Sequence, residues 1–215
     1  MEQQSDVHDI VERLLGTTEP EECAHFLQVV LRELAKGRSL SRKVLATALG
    51  WPPQRLTALL DSACSAEFDD DRNIVGYGLT LRETAHAFEI DGQRLYTWCA
   101  LDTLMLPALL GKSASVYSRC PASGMRIALR VSPHELDFFE PEGVVMSLPP
   151  TGTSPDIRRS FCCHVHFLAS SQEASEWVSG RPGMEILRIG DAFRLAQDLA
   201  AQVTDRARQY RENVA

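Results

Sequence analysis

The stretch that decides the fold is AFEIDGQRLYTWCALDTLMLPALLG, residues 87–111. Asp91-Gly92 near its start suits the type I′ turn of a β-hairpin, and the residues on either side of this pair are predicted to form two strands. A helix is predicted to follow from about Trp98 to Leu110, and Gly111 is placed to end it. A hairpin that leads directly into an apolar helix predicts an α+β fold.

The residues beyond Gly111 continue this mixed pattern. Strands are predicted at Ser115–Arg119, Met125–Val131, Ser160–Leu168 and Glu185–Ile189. Ser170 and Glu173 have the spacing of a capping box for a helix that runs to Val178. A last helix presents Phe193, Ala196, Leu199, Ala200 and Val203 on one face. We therefore expect residues 83–215 to form a catalytic domain with a mixed, mainly antiparallel sheet flanked by helices.

Residues 1–82 predict a separate helical module. The first helix has its apolar residues at helical spacing and ends near Gly37, the second is capped by Ser41 and closed by Gly50, and the third starts at Pro52-Pro53. Two strands, Phe68–Asp71 and Ile74–Leu81, are predicted around the turn Arg72-Asn73. Three short helices followed by a hairpin predict a winged-helix-like N-terminal module.

The charges of this module argue against DNA binding. Between Ala24 and Arg82 there are eight basic and six acidic residues, a net charge of +2. The third helix carries one base, Arg55, and the expected wing carries the acidic run Asp69-Asp70-Asp71. Neutralising DNA phosphates needs several cations on one face, and an acidic wing is repelled by the phosphate backbone. We therefore expect a structural role for residues 1–82.

The composition of the whole chain narrows the class further. Its 215 residues carry a net charge of −7 and are 44% hydrophobic, as expected for a globular protein that does not bind nucleic acid. The longest apolar run, Leu104–Leu110, is too short to span a bilayer, so no membrane association is expected. Residues 1–10 lack a cationic segment followed by an apolar one, which predicts no export signal and a cytoplasmic protein.

The first candidate site is formed by Cys99 and Asp102. A separation of three on a helix places the thiol and the carboxylate on one face. In the first turn of a helix, the unpaired backbone amides favour a thiolate, and Asp102 is placed to accept the proton that Cys99 loses. The alternative is a buried cysteine beside an aspartate on the helix surface.

The second candidate site is FCCHVHF, residues 161–167. On the predicted strand, Cys162, His164 and His166 share the more polar face, whereas Cys163 lies on the apolar face. Cys162 is then the reactive candidate and Cys163 packs in the core. Zinc binding by the three residues on the polar face is an alternative, although three residues of one strand rarely converge on a metal.

The remaining cysteines are assigned structural roles. The chain has six cysteines and no Cys-x-x-Cys pair, and a disulfide framework is not expected in a reducing compartment. Cys120 is expected to be a buried thiol in a hairpin turn, and Cys23 and Cys64 are expected to fill space between helices.

Three segments resemble the bacterial organomercurial (alkylmercury) lyases. They are GYGLTLRET at residues 76–84, LYTWCALDTL at residues 95–104 and RSFCCHVHF at residues 159–167. Residues 31–38 and 48–52 also resemble the helical N-terminal region of that family. The resemblance extends from about Leu31 to Leu168.

The resemblance implies protonolysis of carbon–mercury bonds, with catalytic and mercury-binding roles for Cys99, Cys162 and Asp102. It implies no metal cofactor, because mercury is the substrate, and it implies low-molecular-weight thiols or a mercuric reductase as acceptors of Hg(II). Tyr96, Trp98 and Phe161 flank the reactive residues and are candidates for the lining of an apolar pocket.

Two other functional classes are weighed against the lyase. A winged-helix regulator that senses mercury or thiols would use Cys99 and Cys162 as sensors. A cysteine hydrolase would pair Cys99 with a histidine and would not need a second thiol. Neither class accounts for two cysteines and an aspartate together with an acidic wing.

Overall fold

The computed structural model describes residues 9–12, 15, 19–62, 66–150 and 156–214. Residues 9–12 are helical. The later helices are α1 (Pro20–Leu34), α2 (Arg42–Leu49), α3 (Pro53–Ser62), α4 (Ala100–Leu110), α5 (Ile157–Ser160), α6 (Ser171–Val178) and α7 (Ile189–Val214). The strands are β1 (Glu67–Phe68), β2 (Ile74–Tyr77), β3 (Leu79–Thr80), β4 (His86–Ile90), β5 (Gln93–Thr97), β6 (Ala114–Arg119), β7 (Arg126–Val131), β8 (Leu136–Glu140), β9 (Val145–Leu148), β10 (Phe167–Leu168) and β11 (Glu185–Arg188).

The three predicted N-terminal helices are confirmed. The Ser41 side chain accepts a hydrogen bond from the backbone N–H of Val44 at 3.3 Å, which caps α2, and Gly50 ends α2 in the left-handed conformation. Helix α1 packs against both α7 and α4. The apolar faces of these helices therefore join the core that surrounds α4.

The predicted strand Ile74–Leu81 is wrong in one respect. Gly78 has a φ of +73°, a left-handed conformation that reverses the chain. β2 and β3 therefore pair with each other in antiparallel register, with Tyr77 opposite Leu79. A single strand through this segment would have required an extended backbone at Gly78.

Within the described residues, most strands form one eight-stranded sheet in the order β1-β2-β3-β5-β4-β6-β7-β8. β3 pairs with β5, and Leu79 lies opposite Thr97. The sheet therefore continues across residue 82, and so does the hydrophobic core. A division of the chain into domains 1–82 and 83–215 stays a prediction, as does the winged-helix assignment.

The hairpin and helix of residues 87–111 are confirmed. Asp91 and Gly92 both have positive φ values, 49° and 74°, as a type I′ turn requires. The helix begins slightly later than predicted, at Ala100, because Cys99 is an extended N-cap residue. Gly111 ends α4 in the left-handed conformation. Helix α4 is buried between α7 and the sheet.

The predicted strand Ser160–Leu168 is largely wrong. The chain forms the short helix α5, then a 3-10 turn at Cys162–His164, and becomes a strand only at Phe167. The Asp156 side chain accepts a hydrogen bond from the backbone N–H of Arg159 at 3.1 Å and caps α5. Local bonds satisfy the backbone of this segment, so its apolar residues become buried without pairing as a strand.

The remaining elements close the fold. β10, β9 and β11 form a three-stranded antiparallel sheet, and β11 leads into α7. The Ser170 side chain caps α6 by accepting a bond from the N–H of Glu173, as predicted. None of the helices in the described ranges combines the length and the apolar character needed to cross a bilayer.

Candidate active site

The N-terminus of α4 positions the first thiol and the carboxylate. Cys99 precedes the first helical residue, and Asp102 lies in the first turn. Asp102 Oδ2 accepts two hydrogen bonds from Cys99, one from its backbone N–H at 3.1 Å and one from its thiol at 3.3 Å. Both side chains are buried. The predicted proximity of the thiol and the carboxylate is therefore present, and the carboxylate also caps the helix.

The second thiol reaches this site from the 3-10 turn. The backbone N–H of Ala100 donates a hydrogen bond to the carbonyl oxygen of Val165 at 3.1 Å, which fixes the turn against the start of α4. The Cys99 and Cys162 sulfurs and an Asp102 carboxylate oxygen all lie within 4.8 Å of one another. The fold thus brings the buried Cys162 thiol to the buried pair Cys99 and Asp102, from which it lies far away in the sequence.

Burial dominates the ionisation of the site. It raises the pKa of Asp102 to about 7, although hydrogen bonds from Cys99 and from the Trp98 backbone act in the opposite direction. The pKa of the Cys99 thiol is raised well above its usual value by burial first, then by a hydrogen bond with Cys162 and by the charge of Asp102. The expectation that the helix terminus favours a Cys99 thiolate at rest is therefore wrong, because desolvation outweighs it.

A small apolar cavity of about 30 Å³ adjoins the three groups. Trp98 and Phe161 line it, as expected. Tyr96 does not, because side chains alternate along β5: Leu95 and Thr97 face the core, whereas Tyr96 points to the other face of the sheet. The lining residues that sequence reasoning missed are Ile10, Leu27, Tyr77, Gly78, Leu101, Met105, Leu106, Ile157 and Leu199.

Gly78 brings backbone close to the carboxylate. Its carbonyl oxygen accepts a hydrogen bond from the N–H of Trp98 at 2.9 Å. A Cβ atom at this position would lie 3.7 Å from Asp102 Oδ1. The glycine therefore supplies the positive φ of the chain reversal and leaves space beside the carboxylate.

Comparison with known proteins identifies the family of this chain. The model of the alkylmercury lyase family matches residues 79–201, a segment that contains Cys99, Asp102 and Cys162. An alkylmercury lyase of Pseudomonas putida is 50% identical over 196 residues, which cover 91% of this chain and 92% of the relative. The chain belongs to the alkylmercury lyase family. A second member, from Bacillus cereus, is 40% identical over 78% of this chain and 77% of its own length.

The fold of this family member also agrees with a solved structure. The crystal structure of the mercury-bound form of MerB2 superposes on this chain with a TM-score of 0.78. The superposition covers 93% of this chain and 99% of that chain. The sequences are 22% identical, so this likeness concerns the fold. It supports the α+β architecture with a mainly antiparallel sheet.

A cation that sequence reasoning missed lies beside the site of this alkylmercury lyase. The Arg158 guanidinium stacks over the Trp98 ring at 5.2 Å and forms an ion pair with the buried Glu67. Burial lowers the pKa of Arg158, and the negative charge of Cys162 raises it. Arg158 therefore places a positive charge next to Trp98, which lines the cavity. The sequence gives no signal for this, since none of its patterns predicts the short helix α5 that carries Arg158.

The neighbouring cysteine and histidines have other roles. Cys163 is exposed and its thiol donates to the carbonyl oxygen of Arg159, so its predicted packing role is wrong: the 3-10 turn, unlike a strand, directs it to solvent. His164 is exposed, and His166 Nε2 bonds to the Cys163 carbonyl at 2.9 Å. Cys162, His164 and His166 do not form a metal site among the described residues.

The other cysteines fit their expected roles where they are described. Cys120 is buried after β6, as predicted, and its thiol donates to Glu173 Oε2 at 3.0 Å. Cys23 is half-buried on α1, and burial raises the pKa of its thiol to about 11. Cys64 lies outside the described residues.

Proposed function

We propose that this chain cleaves the carbon–mercury bond of organomercurials by protonolysis and releases a hydrocarbon and Hg(II). The proposal is supported above all by the convergence of the Cys99 and Cys162 sulfurs and the Asp102 carboxylate within 4.8 Å. The group borders an apolar cavity that can receive an organic substituent. Family membership favours this enzyme over the regulator, and a cysteine hydrolase would need a histidine in the cluster, which contains none.

The residue types suit mercury chemistry. Hg(II) is a soft metal ion that prefers thiolate ligands to carboxylates, which explains why two cysteines hold it. The departing carbanion is strongly basic and must receive a proton as it leaves. Asp102, whose pKa is raised to about 7, is able both to accept a thiol proton and to return it near neutral pH. Mercury enters as substrate, so the reaction requires no resident metal.

The proton balance assigns a role to each group. Cys99 captures R–Hg⁺, and its proton passes to Asp102, to which the thiol is already hydrogen-bonded at 3.3 Å. Cys162 then binds the mercury and releases its own proton to solvent. As the carbon–mercury bond breaks, the bond electrons and the proton of Asp102 form R–H. Two thiols and R–Hg⁺ thus give an S–Hg–S species, R–H and one proton.

The proposal also covers the removal of Hg(II), the cellular location of the reaction and the role of the N-terminal module. External low-molecular-weight thiols or a mercuric reductase remove Hg(II) from the two sulfurs by thiol exchange. A cytoplasmic location supplies such thiols in reduced form. The winged-helix-like first part of the chain has a structural role, since α1 packs on α4 and α7, and it does not bind nucleic acid.

The test compares four single variants in the release of benzene from phenylmercuric acetate with excess thiol present. Cys99→Ser, Cys162→Ser and Asp102→Ala should each lower benzene release by at least about 100-fold, since each removes a mercury ligand or the proton donor. Cys163→Ser is the matched control, because Cys163 is adjacent to Cys162 but exposed. It should retain activity within about twofold. Full turnover by the Cys162→Ser variant would refute the two-thiol reaction.

A further inference from the structure

The cavity beside Asp102 is far smaller than many organic groups. We infer that it holds the organic substituent of the substrate, that it fits a methyl group as it stands, and that Met105 sets the upper size limit. The inference rests on the proposed function. It assigns a specificity-determining residue to a position outside the three reactive groups.

The orientation of Asp102 indicates where the substituent lies. Its Oδ2 atom is engaged by the thiol and the backbone of Cys99. Its Oδ1 atom lies on the side of Gly78, and no other side chain of the described residues lies within 4 Å of a Cβ built at Gly78. Gly78, Asp102 and both cysteines line the same cavity. A carbon bound to mercury between the two sulfurs, and close enough to the carboxyl to take its proton, therefore extends into this space.

The volume of the cavity limits what it can receive. A group the size of a water molecule needs about 10–15 Å³ of cavity volume. The cavity beside Asp102 has a volume of about 30 Å³. A methyl group is close to water in size and fits without rearrangement. A phenyl ring, with its six carbons, does not fit unless a wall moves. Larger substituents must therefore displace a side chain.

Among the residues named here, Met105 has the side chain that can most readily change its conformation. It follows Asp102 by three residues on α4, so it lies on the same face of the helix one turn on. It is an unbranched side chain with three rotatable bonds, which adapts its shape more readily than a branched one. The other lining residues include Leu27 of α1, Leu106 of α4 and Leu199 of α7, whose side chains are branched and have fewer rotatable bonds. A large substituent therefore gains space chiefly at Met105.

The experiment measures kcat/KM for phenylmercuric acetate and for methylmercuric chloride and compares their ratio among variants. Met105→Ala should raise the phenyl-to-methyl ratio by at least about tenfold, because a size mismatch of even one methylene in an apolar pocket changes discrimination by about that factor. Met105→Ile keeps the bulk but is stiff at its branched Cβ, and it should lower the ratio. Leu27→Ala enlarges the cavity at another lining residue and should also raise the ratio, which tests the placement of the substituent if Met105→Ala folds poorly.

Leu104→Ala is the matched control. Leu104 is fully buried on the same helix, next to Met105, but does not line the cavity, so its truncation should leave the ratio within about twofold of the unaltered chain. A ratio that stays unchanged in a folded Met105→Ala variant, or that shifts equally in Leu104→Ala, overturns the inference while leaving the proposed function intact. If Met105→Ala does not fold, an unchanged ratio in Met105→Ile overturns it. Absence of hydrocarbon from the unaltered chain with either substrate removes the proposed function and the inference together.

Discussion

The backbone N–H of Ala100 donates a hydrogen bond to the carbonyl oxygen of Val165 at 3.1 Å, and this bond joins the two segments that carry the sulfurs. Ala100 follows Cys99 directly, and Val165 ends the turn that begins at Cys162. The separation of the sulfurs therefore depends on backbone geometry as well as on side-chain rotamers. Residues that hold this turn in place should influence the reaction without touching mercury.

His166 is such a residue. Its Nε2 atom bonds to the Cys163 carbonyl at 2.9 Å, and its ring packs against Trp177 at 5.3 Å. His166→Ala should lower kcat/KM for phenylmercuric acetate by about tenfold, because a displaced mercury ligand weakens transition-state binding. His166→Gln, which retains a donor, should recover part of the loss. Steady-state benzene release measures both variants.

His164→Ala is the control for this prediction. His164 lies in the same turn but is exposed, so its variant should retain kcat/KM within about twofold. Equal losses in His164→Ala and His166→Ala would show that the bond to Cys163 has no special role.

The buried carboxyl of Asp102 should make the free energy of unfolding depend on pH. Its pKa rises from 3.8 to about 7 on folding, so between these values the folded chain binds more protons than the unfolded chain. The free energy of unfolding should therefore fall as the pH rises from about 4 to about 7, by at most about 4 kcal/mol. Below pH 4 this contribution is fully present.

Asp102→Asn removes this titration. The variant should be inactive, and its stability should exceed that of the unaltered chain by more at pH 8 than at pH 5. Urea unfolding at the two pH values measures the difference. A stability difference that is equal at both values would contradict the raised pKa.

Substitution of Gly78 should have two separate effects. The positive φ should lower the stability of the fold, and the added Cβ beside Asp102 should lower the activity. Gly78 and Gly50 have similar φ values, +73° and +68°, so an alanine at either should cost roughly 1–2 kcal/mol of stability. At Gly78 the new Cβ would lie 3.7 Å from Asp102 Oδ1, whereas at Gly50 no atom of the described part of the chain would lie within 4 Å of it. Gly78→Ala should therefore also lower kcat/KM by about tenfold.

Thermal unfolding and benzene release together test this prediction. Gly50→Ala should lose stability while kcat/KM stays within about twofold. An unchanged kcat/KM in Gly78→Ala, with the expected loss of stability, would mean that the substrate does not use the space beside Oδ1.

Local signals in the sequence predicted local structure well. Asp91-Gly92, Gly111 and Ser41 each require or favour one backbone conformation, and the structure has a turn, a helix end and a cap at these positions. The three-residue spacing of Cys99 and Asp102 likewise fixes their contact, because it operates within a single helical turn.

Features that depend on distant contacts were not predictable in this way. The apolar alternation after Ser160 is compatible with a strand, but the chain forms a 3-10 turn whose His164 carbonyl oxygen accepts a hydrogen bond from the distant Ser147 hydroxyl at 2.8 Å. A strand predicts that Cys162 and Cys163 face opposite sides and favours Cys162 as the reactive thiol. The structure buries Cys162 and exposes Cys163, but it does so through the 3-10 turn. The bond between Ala100 and Val165 has no signature in either segment.

One wall of the cavity comes from α1, whose Leu27 lies well before the segment that matches the family model, residues 79–201. A gene fragment that encoded only the matched segment would retain both sulfurs and the carboxyl, yet it would admit water on the side that Leu27 closes. The helical first third and the reactive residues must consequently be inherited as a unit, even though no chemistry takes place on those helices.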